Sequence, residues 1–484
     1  MRRASFLVDF GLIATCALIA ALLEQDANWD QLQYHFWYPW QLLHGGFTDP
    51  DLYGGRFQNP LPQVPFFLLA DSLNPQVAQA LLGAMAGVAA VLTRRIAMRV
   101  LPFDGGWQVA VSTGAAVLAM VGAGFRSELA TSYSDVLLAS LLLGGLLLIL
   151  RAQPWPSFTA GLLAGAAVGL KYTSAPFAMA AVVALLVMPG TRVKRLVWWF
   201  GGAMIGWLVT GAAWALNLWR TYDSPVFPFW NTVFGSPWFP GENLTDDRYG
   251  VSGLGQWLQW PWAMATGSAR VLDLPVRDPR WLLLVAAVVV LAFCFRRIDS
   301  AGAAVLAYTL SGLVVWLAVF GVIRYAIPAE MLAAVIVVWA LSMLLGARAV
   351  LASTLVVAVV AGLLTVSAAG RRVPFGDQWF QVEPSGFEAV QPGDAVLVDG
   401  QYPSTFLLAG QLPDGVEVHV VQKDFTGSPL LGWLMGELEQ ARRVWVVTDA
   451  PPSQVDPAVG TILYDECTRI RSNVVNRRLC PVTL

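Results

Sequence analysis

The sequence predicts an all-α polytopic membrane domain followed by a small α/β domain at the C-terminal end. Of the 484 residues, 56% are hydrophobic and only 13% are charged, which is too little charge to cover a soluble protein of this size. Several apolar runs reach the roughly 20 residues that a helix needs to cross a bilayer. After residue 370 the pattern changes to short apolar strands and helices, which is typical of a soluble α/β domain.

The apolar runs predict about 11 transmembrane helices. They cover residues 5–23, 76–98, 106–124, 135–150, 157–170, 174–188, 194–217, 281–295, 301–321, 327–346 and 349–369. The first run contains Asp9 and no small-residue cleavage site follows it directly, which favours a retained helix over a signal peptide. The fifth and sixth runs are short and meet at "GLKYTSAPF", which predicts a broken or tilted pair.

The basic residues predict the orientation of the chain. They fall on alternate connections between the runs: Arg2, Arg3, Arg94, Arg95, Arg99, Arg151, Arg192, Lys194, Arg195, Arg296, Arg297 and Arg348. The positive-inside rule therefore predicts an inner (plasma) membrane protein with a cytoplasmic N-terminus. The transmembrane domain spans 1–370 with outer loops at 24–75 and 218–280, and an extracytoplasmic α/β domain follows at 371–484.

The outer segments carry two further signals. The tryptophan-rich stretch "GLGQWLQWPWAMA" predicts an interfacial or re-entrant helix, because amphipathic rings favour the headgroup layer. In the C-terminal domain, 394–400, 416–422 and 443–449 read as strands of a partly parallel sheet.

Cysteine placement gives an independent prediction about the compartment. Cys467 and Cys480 both lie in the C-terminal segment, where the predicted topology places them outside the cytoplasm. An oxidising compartment permits a disulfide between them. A bridge that closes so short a loop would stabilise the domain by about 3 kcal/mol in the chain-entropy model.

The first outer loop, "DANWDQLQYHFWYPWQLLHGG", combines acids with aromatic rings. Its candidate site residues are Asp26, Asp30, Tyr34, His35 and Arg56. A carboxylate just beyond a helix end can reach an acceptor hydroxyl and stay charged near neutral pH, as a general base must. If this stretch is helical, Asp30 and Tyr34 lie on one face. The alternative is that Asp30 only caps an interfacial helix.

Further ionisable residues stand at other span ends on the same predicted side. The second outer loop, "FRSELATSYSDV", supplies Glu128 and Asp135. Two basic–tyrosine pairs follow, Lys171-Tyr172 and Arg324-Tyr325. The cations could neutralise a phosphate or diphosphate at the membrane surface. The alternative is that each long side chain only snorkels to the interface.

Other site classes find little support in the sequence. The three histidines, His35, His44 and His419, show no zinc-ligand spacing, and there is no P-loop or nucleophile elbow. Glycines within "GGLLLIL" and "GGAMIG" are better explained by close helix packing than by nucleotide binding. The formal net charge of -2 gives no indication of a nucleic-acid partner.

These features together resemble the polytopic GT-C glycosyltransferases over roughly residues 1–345. The resemblance rests on the "D-x-x-x-Y-H" core of the first loop and on "GLKYT" (169–173), "SPVFPFWNTVFGSPWF" (224–239) and "RYAIPAE" (324–330). The motifs look like elements of bacterial members whose acceptor is uncharacterised. The resemblance implies an inverting hexosyl- or pentosyltransferase that moves a sugar from a polyprenyl-phosphate donor. The acceptor would be a glycan, lipid or protein on the outer face of the membrane, and membrane lipid would be a further partner.

The same resemblance assigns roles to residues. Asp30 would be the catalytic acid of the first loop with Asp26 as its rival, and Asp135 would be the acid of the second loop. Lys171 and Arg324 would hold the donor phosphate. The remaining substrate contacts would come from Tyr34, His35, Arg56, Tyr172 and Tyr325. The paired Asp-Glu of protein mannosyltransferases is missing, because "EQDANWD" spaces its acids, which leaves both first-loop candidates open. The reaction implied by the resemblance requires no cofactor, and whether a divalent cation takes part is left open.

Two other functions compete with this prediction. A transporter or flippase for a lipid-linked or small polar substrate would fit a polytopic chain, but the sequence shows no inverted repeat with matching broken spans. A non-catalytic membrane scaffold would tolerate Asp30→Asn and Asp26→Asn, whereas a transferase would not.

Overall fold

The computed structural model describes residues 2–45, 54–244, 248–367, 370–422, 425, 427–450 and 460–484. The chain divides into two compact units. The helical unit consists of Met1–Leu23, Gln79–Ala212 and Asp246–Ala369, and the mixed unit consists of Glu24–Ala78, Ala213–Thr245 and Gly370–Leu484. This division differs from the one expected at residue 370, since the first outer loop groups with the C-terminal segment.

The chain is a multi-pass membrane protein whose predicted spans all coincide with helices or helix pairs. In chain order the described helices are α1 (Arg2–Leu22), α2 (Trp37–His44), α3 (Val64–Ser72), α4 (Pro75–Val100), α5 (Gly105–Met120), α6 (Ala123–Glu128), α7 (Asp135–Ile149), α8 (Pro154–Leu170), α9 (Ala175–Val187), α10 (Arg192–Thr210), α11 (Ala212–Tyr222), α12 (Asn231–Phe234), α13 (Gly253–Thr266), α14 (Arg280–Phe293), α15 (Ser300–Val319), α16 (Ile327–Leu344), α17 (Ala347–Leu364) and α18 (Pro429–Gln440).

Helix length decides how many of these helices can cross a bilayer alone. Within the described residues, five are long and apolar enough, or six if α10 and α11 form one broken span. Helix α7 has 15 residues and is about 22 Å long, shorter than the roughly 30 Å hydrocarbon core. The count of 11 spans therefore stays a prediction.

Glycines bring α8 and α10 into backbone contact, as the sequence predicts. A Cβ added at Gly161 would lie 2.0 Å from the carbonyl oxygen of Trp199, and one at Gly206 would lie 2.2 Å from that of Leu162. Any side chain at these positions would push the helices apart. Small residues at four-residue spacing allow such an approach between membrane helices. This packing fixes α8, whose last residue immediately precedes Lys171.

A buried ion triad joins three helices of the helical unit. Arg280, at the start of α14, lies 2.5 Å from Asp278 Oδ2 and 3.0 Å from Glu330 Oε1. The Glu330 carboxylate also accepts the backbone N–H groups of Gly124 (2.9 Å) and Phe125 (2.8 Å) at the start of α6. The triad therefore satisfies backbone donors that the first turn of a helix leaves without intrahelical partners.

We expect Glu330→Ala to destabilise the protein, because it leaves the backbone N–H groups of Gly124 and Phe125 buried without an acceptor and removes one of the two carboxylates that pair with Arg280. Each buried donor left without an acceptor costs about 1–3 kcal/mol. The matched control is Arg248→Ala, which removes a pair with Asp273 whose side chains are 64% and 72% exposed and which should contribute about 0–1 kcal/mol. Thermal unfolding in detergent measures both, and equal shifts would contradict the structural role of the triad.

The mixed unit contains the predicted α/β domain. Its strands are β1 (Gln25–Asp26), β2 (Arg372–Val373), β3 (Ala395–Asp399), β4 (Glu417–Val421), β5 (Val444–Thr448), β6 (Thr461–Ile462), β7 (Thr468–Ile470) and β8 (Arg477–Thr483). Strand β3 pairs in parallel with β4 and β5, whereas β8 is antiparallel to β5, β6 and β7. The three predicted strands and the partly parallel sheet are confirmed.

Contacts within the mixed unit explain why it includes the first outer loop. Strands β1 and β2 form a two-stranded antiparallel sheet that pairs Gln25 with Val373. The backbone N–H of Ser404 donates to Gln33 Oε1 at 2.9 Å. The predicted disulfide between Cys467 and Cys480 is present and is confirmed.

Candidate active site

The helical unit contains a buried group of two acids and two cations, which we call the acid–cation cluster. Its members are Glu128, Asp135, Lys171 and Arg324. Asp135 and Lys171 are 36 residues apart in the chain, yet Lys171 Nζ lies 2.7 Å from Asp135 Oδ1 and 2.9 Å from Oδ2. Arg324 Nε lies 4.0 Å from Asp135 Oδ2. Both cations therefore meet at one carboxylate.

Local sequence explains how the two cations are positioned. Lys171 ends α8 in an extended conformation, and the 3-10 turn Tyr172–Ser174 leads into α9. Arg324 lies in a similar turn, Ile323–Ala326, which leads into α16. Both following helices carry proline in the first turn, where its missing N–H is tolerated and where it stops the preceding helix from continuing. Each basic side chain thus lies at a break between helices.

The burial of the cluster sets its electrostatics. The Asp135 side chain is 4% exposed, while those of Lys171 and Arg324 retain 12% and 18%. Burial lowers the pKa of Lys171, but the charge of Asp135, its hydrogen bond with Lys171 and the neighbouring Tyr325 together more than offset this, so the pKa ends above its ordinary value. Lys171 is therefore a fixed positive charge. This ion-paired arrangement differs from that of a lysine that only snorkels to the interface.

Aromatic rings enclose the cations. Lys171 Nζ lies 4.7 Å from the centre of the Tyr325 ring, and Arg324 Cζ lies 5.6 Å from it. The Tyr133 ring lies 4.5 Å from Arg324 Cζ on another side. Cation–π contacts of this kind hold a charge in place without neutralising it. Tyr172 instead packs near Phe320, with ring centres 6.5 Å apart.

Glu128 has a different role from Asp135. Its Oε2 accepts the backbone N–H of Val136 at 2.9 Å, one of the donors that the first turn of α7 leaves free. Its Oε1 is buried and has no donor within reach among the described residues. Burial, reinforced by the charge of Asp135, raises the pKa of Glu128 well above its ordinary value. These conditions favour the protonated acid.

A small, partly open pocket adjoins the cluster. It is lined by Asp135, Leu138, Ala139, Leu142, Thr173, Ser174, Arg324, Tyr325 and Pro328. Charged and hydroxyl groups thus share the cavity with aliphatic side chains. Such a lining can accept an anionic group that is attached to an apolar chain.

In the mixed unit, the Asp26 carboxylate has a structural role. It is 1% exposed, and its carboxylate accepts hydrogen bonds from Asn28 N (3.2 Å), Asn28 Nδ2 (2.5 Å) and Gln31 Nε2 (3.1 Å). Each oxygen already has a donor. A carboxylate held in this way stabilises the loop and is poorly placed to take a proton from a substrate.

Asp30 is half-buried and lies at a helix start. Its backbone is already helical, and its side chain makes no capping hydrogen bond, so the capping interpretation is wrong. The next five residues, Gln31–His35, form a π-helix, a rare geometry that is frequent at functional sites.

The other first-loop candidates also lie in the mixed unit. The rings of Tyr34 and His35 meet edge to face with centres 4.5 Å apart. Arg56 donates from Nη1 to Gln41 Oε1 at 2.9 Å and lies over the Tyr38 ring at 5.5 Å. The participation of these residues in substrate binding stays a prediction.

The structure thus joins Asp135, Lys171, Arg324 and Tyr325, and it adds Glu128 and Tyr133, which the sequence did not assign a role. The sequence identifies Glu128 as an acid seven residues before Asp135 in the same short loop, but it gives no sign that the side chain is buried. Tyr133 carried no separate signal. Within the described residues, no group of three or more His, Cys, Asp or Glu side chains is arranged to hold a metal ion.

Comparison with known proteins bears on the fold. No protein-family model and no curated protein sequence matches the chain. The crystal structure of ArnT from Cupriavidus metallidurans in the apo state matches 99% of this chain and 98% of its own, with a TM-score of 0.58 and 11% identity. The structure of that ArnT bound to undecaprenyl phosphate matches 99% and 97%, with a TM-score of 0.57 and 12% identity.

ArnT is a GT-C glycosyltransferase, so the expected GT-C-like fold is confirmed along the whole chain. At this level of identity the likeness establishes a shared fold, whereas the chemistry depends on the residues of the site.

Proposed function

We propose that the protein is a membrane glycosyltransferase that moves a sugar from a polyprenyl-phosphate donor to an acceptor on the extracytoplasmic face. The observation that carries the proposal is that Lys171 and Arg324 both lie at the Asp135 carboxylate, beside a cavity with polar and aliphatic walls. The fold shared with an ArnT that binds undecaprenyl phosphate supports a lipid-linked donor.

The chemistry of such a donor matches what the cluster offers. A lipid phosphate is already a leaving group, so the enzyme must stabilise the negative charge that develops on it. Preorganised cations in a site of low dielectric do this most effectively. Lys171 and Arg324 supply these charges, and the aliphatic cavity wall accommodates the first part of the polyprenyl chain.

Two acids receive different roles in this proposal. Lys171 engages both oxygens of Asp135, so Asp135 positions the cations and does not take a proton. Asp30 is the general base for the acceptor, because its rival Asp26 is buried in hydrogen bonds. Inversion at the sugar follows from a single displacement with no covalent intermediate. The acceptor is a glycan, lipid or protein hydroxyl or amide.

Binding of undecaprenyl phosphate to the detergent-solubilised protein tests the donor site. We expect Arg324→Ala to weaken binding about tenfold or more, since one charge-assisted contact contributes about 1.5–3 kcal/mol. Arg248→Ala is the control, because it removes an exposed arginine of the same unit. Equal affinity of wild type and Arg324→Ala, with both folded, would contradict the assignment of the phosphate to the cluster.

A further inference from the structure

The charges of the acid–cation cluster nearly cancel, and one proton decides the balance. Lys171 and Arg324 contribute two positive charges, and Asp135 contributes one negative charge. With Glu128 neutral, the cluster has a net charge of +1, which suits one phosphodiester anion. With Glu128 ionised, the net charge is zero and the electrostatic attraction for an anion is lost.

The geometry around Glu128 favours the neutral form independently of this count. Glu128 is 1% exposed, so an ionised carboxylate at this position would have lost nearly all of its hydration. Lys171 already donates to both oxygens of Asp135, which keeps that group ionised. The buried Oε1 of Glu128 meets no donor among the described residues, so ionisation would place negative charge on an oxygen that no hydrogen bond stabilises.

We propose that Glu128 retains its proton in the donor-binding state and thereby sets the charge of the cluster, so that a singly charged phosphodiester binds only while Glu128 is protonated. This inference rests on the proposed function, because it concerns the same phosphate site. Glu128 acts through the charge balance and through Asp135, which makes it a positioning residue and not a catalytic one.

The groups that face Glu128 come from three other elements. They are Asp135 at the start of α7, Lys171 between α8 and α9, and Arg324 in the turn before α16. The charge of Asp135 opposes ionisation of Glu128, whereas the two cations favour it. Because the pKa of Lys171 is raised, the lysine stays charged while Glu128 titrates. The direction of the pH dependence follows from these charges. The cluster binds an anion at low pH, and this affinity is lost as the pH rises through the pKa of Glu128.

The test measures binding of a methyl phosphodiester of undecaprenyl phosphate, whose single charge does not change with pH. As the pH rises through the pKa of Glu128, we expect the wild-type affinity to fall, at most by about tenfold for each pH unit, as one linked proton requires. Glu128→Gln keeps an acceptor for the backbone N–H of Val136 but cannot ionise. Its affinity should stay at the level of the protonated wild type across the range.

A second measurement needs no variant. Calorimetry of the wild-type protein in buffers of different ionisation enthalpy counts the protons taken up when the diester binds, and we expect uptake to rise toward one proton at alkaline pH. Uptake should vanish in Glu128→Gln. A Glu128→Gln profile that follows the wild-type pH dependence, or the absence of uptake in the wild type, would overturn the inference. If the wild type binds no diester at any pH, the proposed donor site itself fails.

Discussion

Asp30→Asn should lose transfer activity about 10²–10⁴-fold in kcat while its thermal stability remains near that of the wild type, since this is the usual contribution of a general base. The substitution keeps the size and shape of the side chain and removes only the ability to take a proton. Asp30 is half-buried and makes no capping hydrogen bond to the first turn of the helix. Transfer from a polyprenyl-phosphate sugar and thermal unfolding are the two measurements.

Asp26→Asn is the matched control and should behave in the opposite way. An amide can accept at only one of the two positions where Asp26 now receives donors from Asn28 and Gln31. The buried loop should lose about 1–3 kcal/mol of stability. If Asp30→Asn turns over normally while Asp26→Asn is folded and inactive, then Asp26 is the base and the present assignment is wrong.

The second large effect concerns Lys171. Lys171→Met removes one member of a buried pair, so it should destabilise the protein by about 3–5 kcal/mol and abolish donor binding. Loss of binding alone would then be ambiguous, because the variant leaves the Asp135 charge without its main partner.

The double variant Lys171→Met with Asp135→Asn resolves this ambiguity. Removing both charges should restore most of the lost stability, because the Asp135 charge is no longer buried without Lys171 and only the partly exposed Arg324 loses a partner. Donor binding should return only in part, because Arg324 keeps the net charge of the cluster at +1 but the contact of Lys171 with the phosphate is still missing. A stable double variant that binds undecaprenyl phosphate as the wild type does would show that Lys171 only neutralises Asp135.

The sequence predicted much of the fold because local patterns carry it. Apolar runs located the membrane helices, and alternating strands located the sheet around Ala395–Asp399. The disulfide followed from two cysteines in one short segment of a predicted oxidising compartment. The sequence did not predict that the first outer loop groups with the C-terminal segment. That grouping depends on strand pairs such as Gln25 with Val373, whose members lie far apart in the chain and leave no local signal.

The site was predictable only in part for the same reason. Charge placement relative to the membrane put Asp135, Lys171 and Arg324 on one side, and the structure brings them together. The choice between Asp26 and Asp30 required knowledge of hydrogen bonds that composition does not encode. The role of Glu128 required knowledge of burial, since an acid in a short loop is ordinarily ionised.

In the proposed function, Lys171 and Arg324 hold the phosphate of a polyprenyl donor. An experimental structure of the protein with undecaprenyl phosphate tests this assignment. We predict phosphate oxygens within hydrogen-bond distance, about 2.7–3.2 Å, of Lys171 Nζ and the Arg324 guanidinium, with the lipid chain entering along the aliphatic wall of the cavity. A phosphate bound elsewhere, with the Lys171–Asp135 pair and Arg324 unchanged, would contradict the claim.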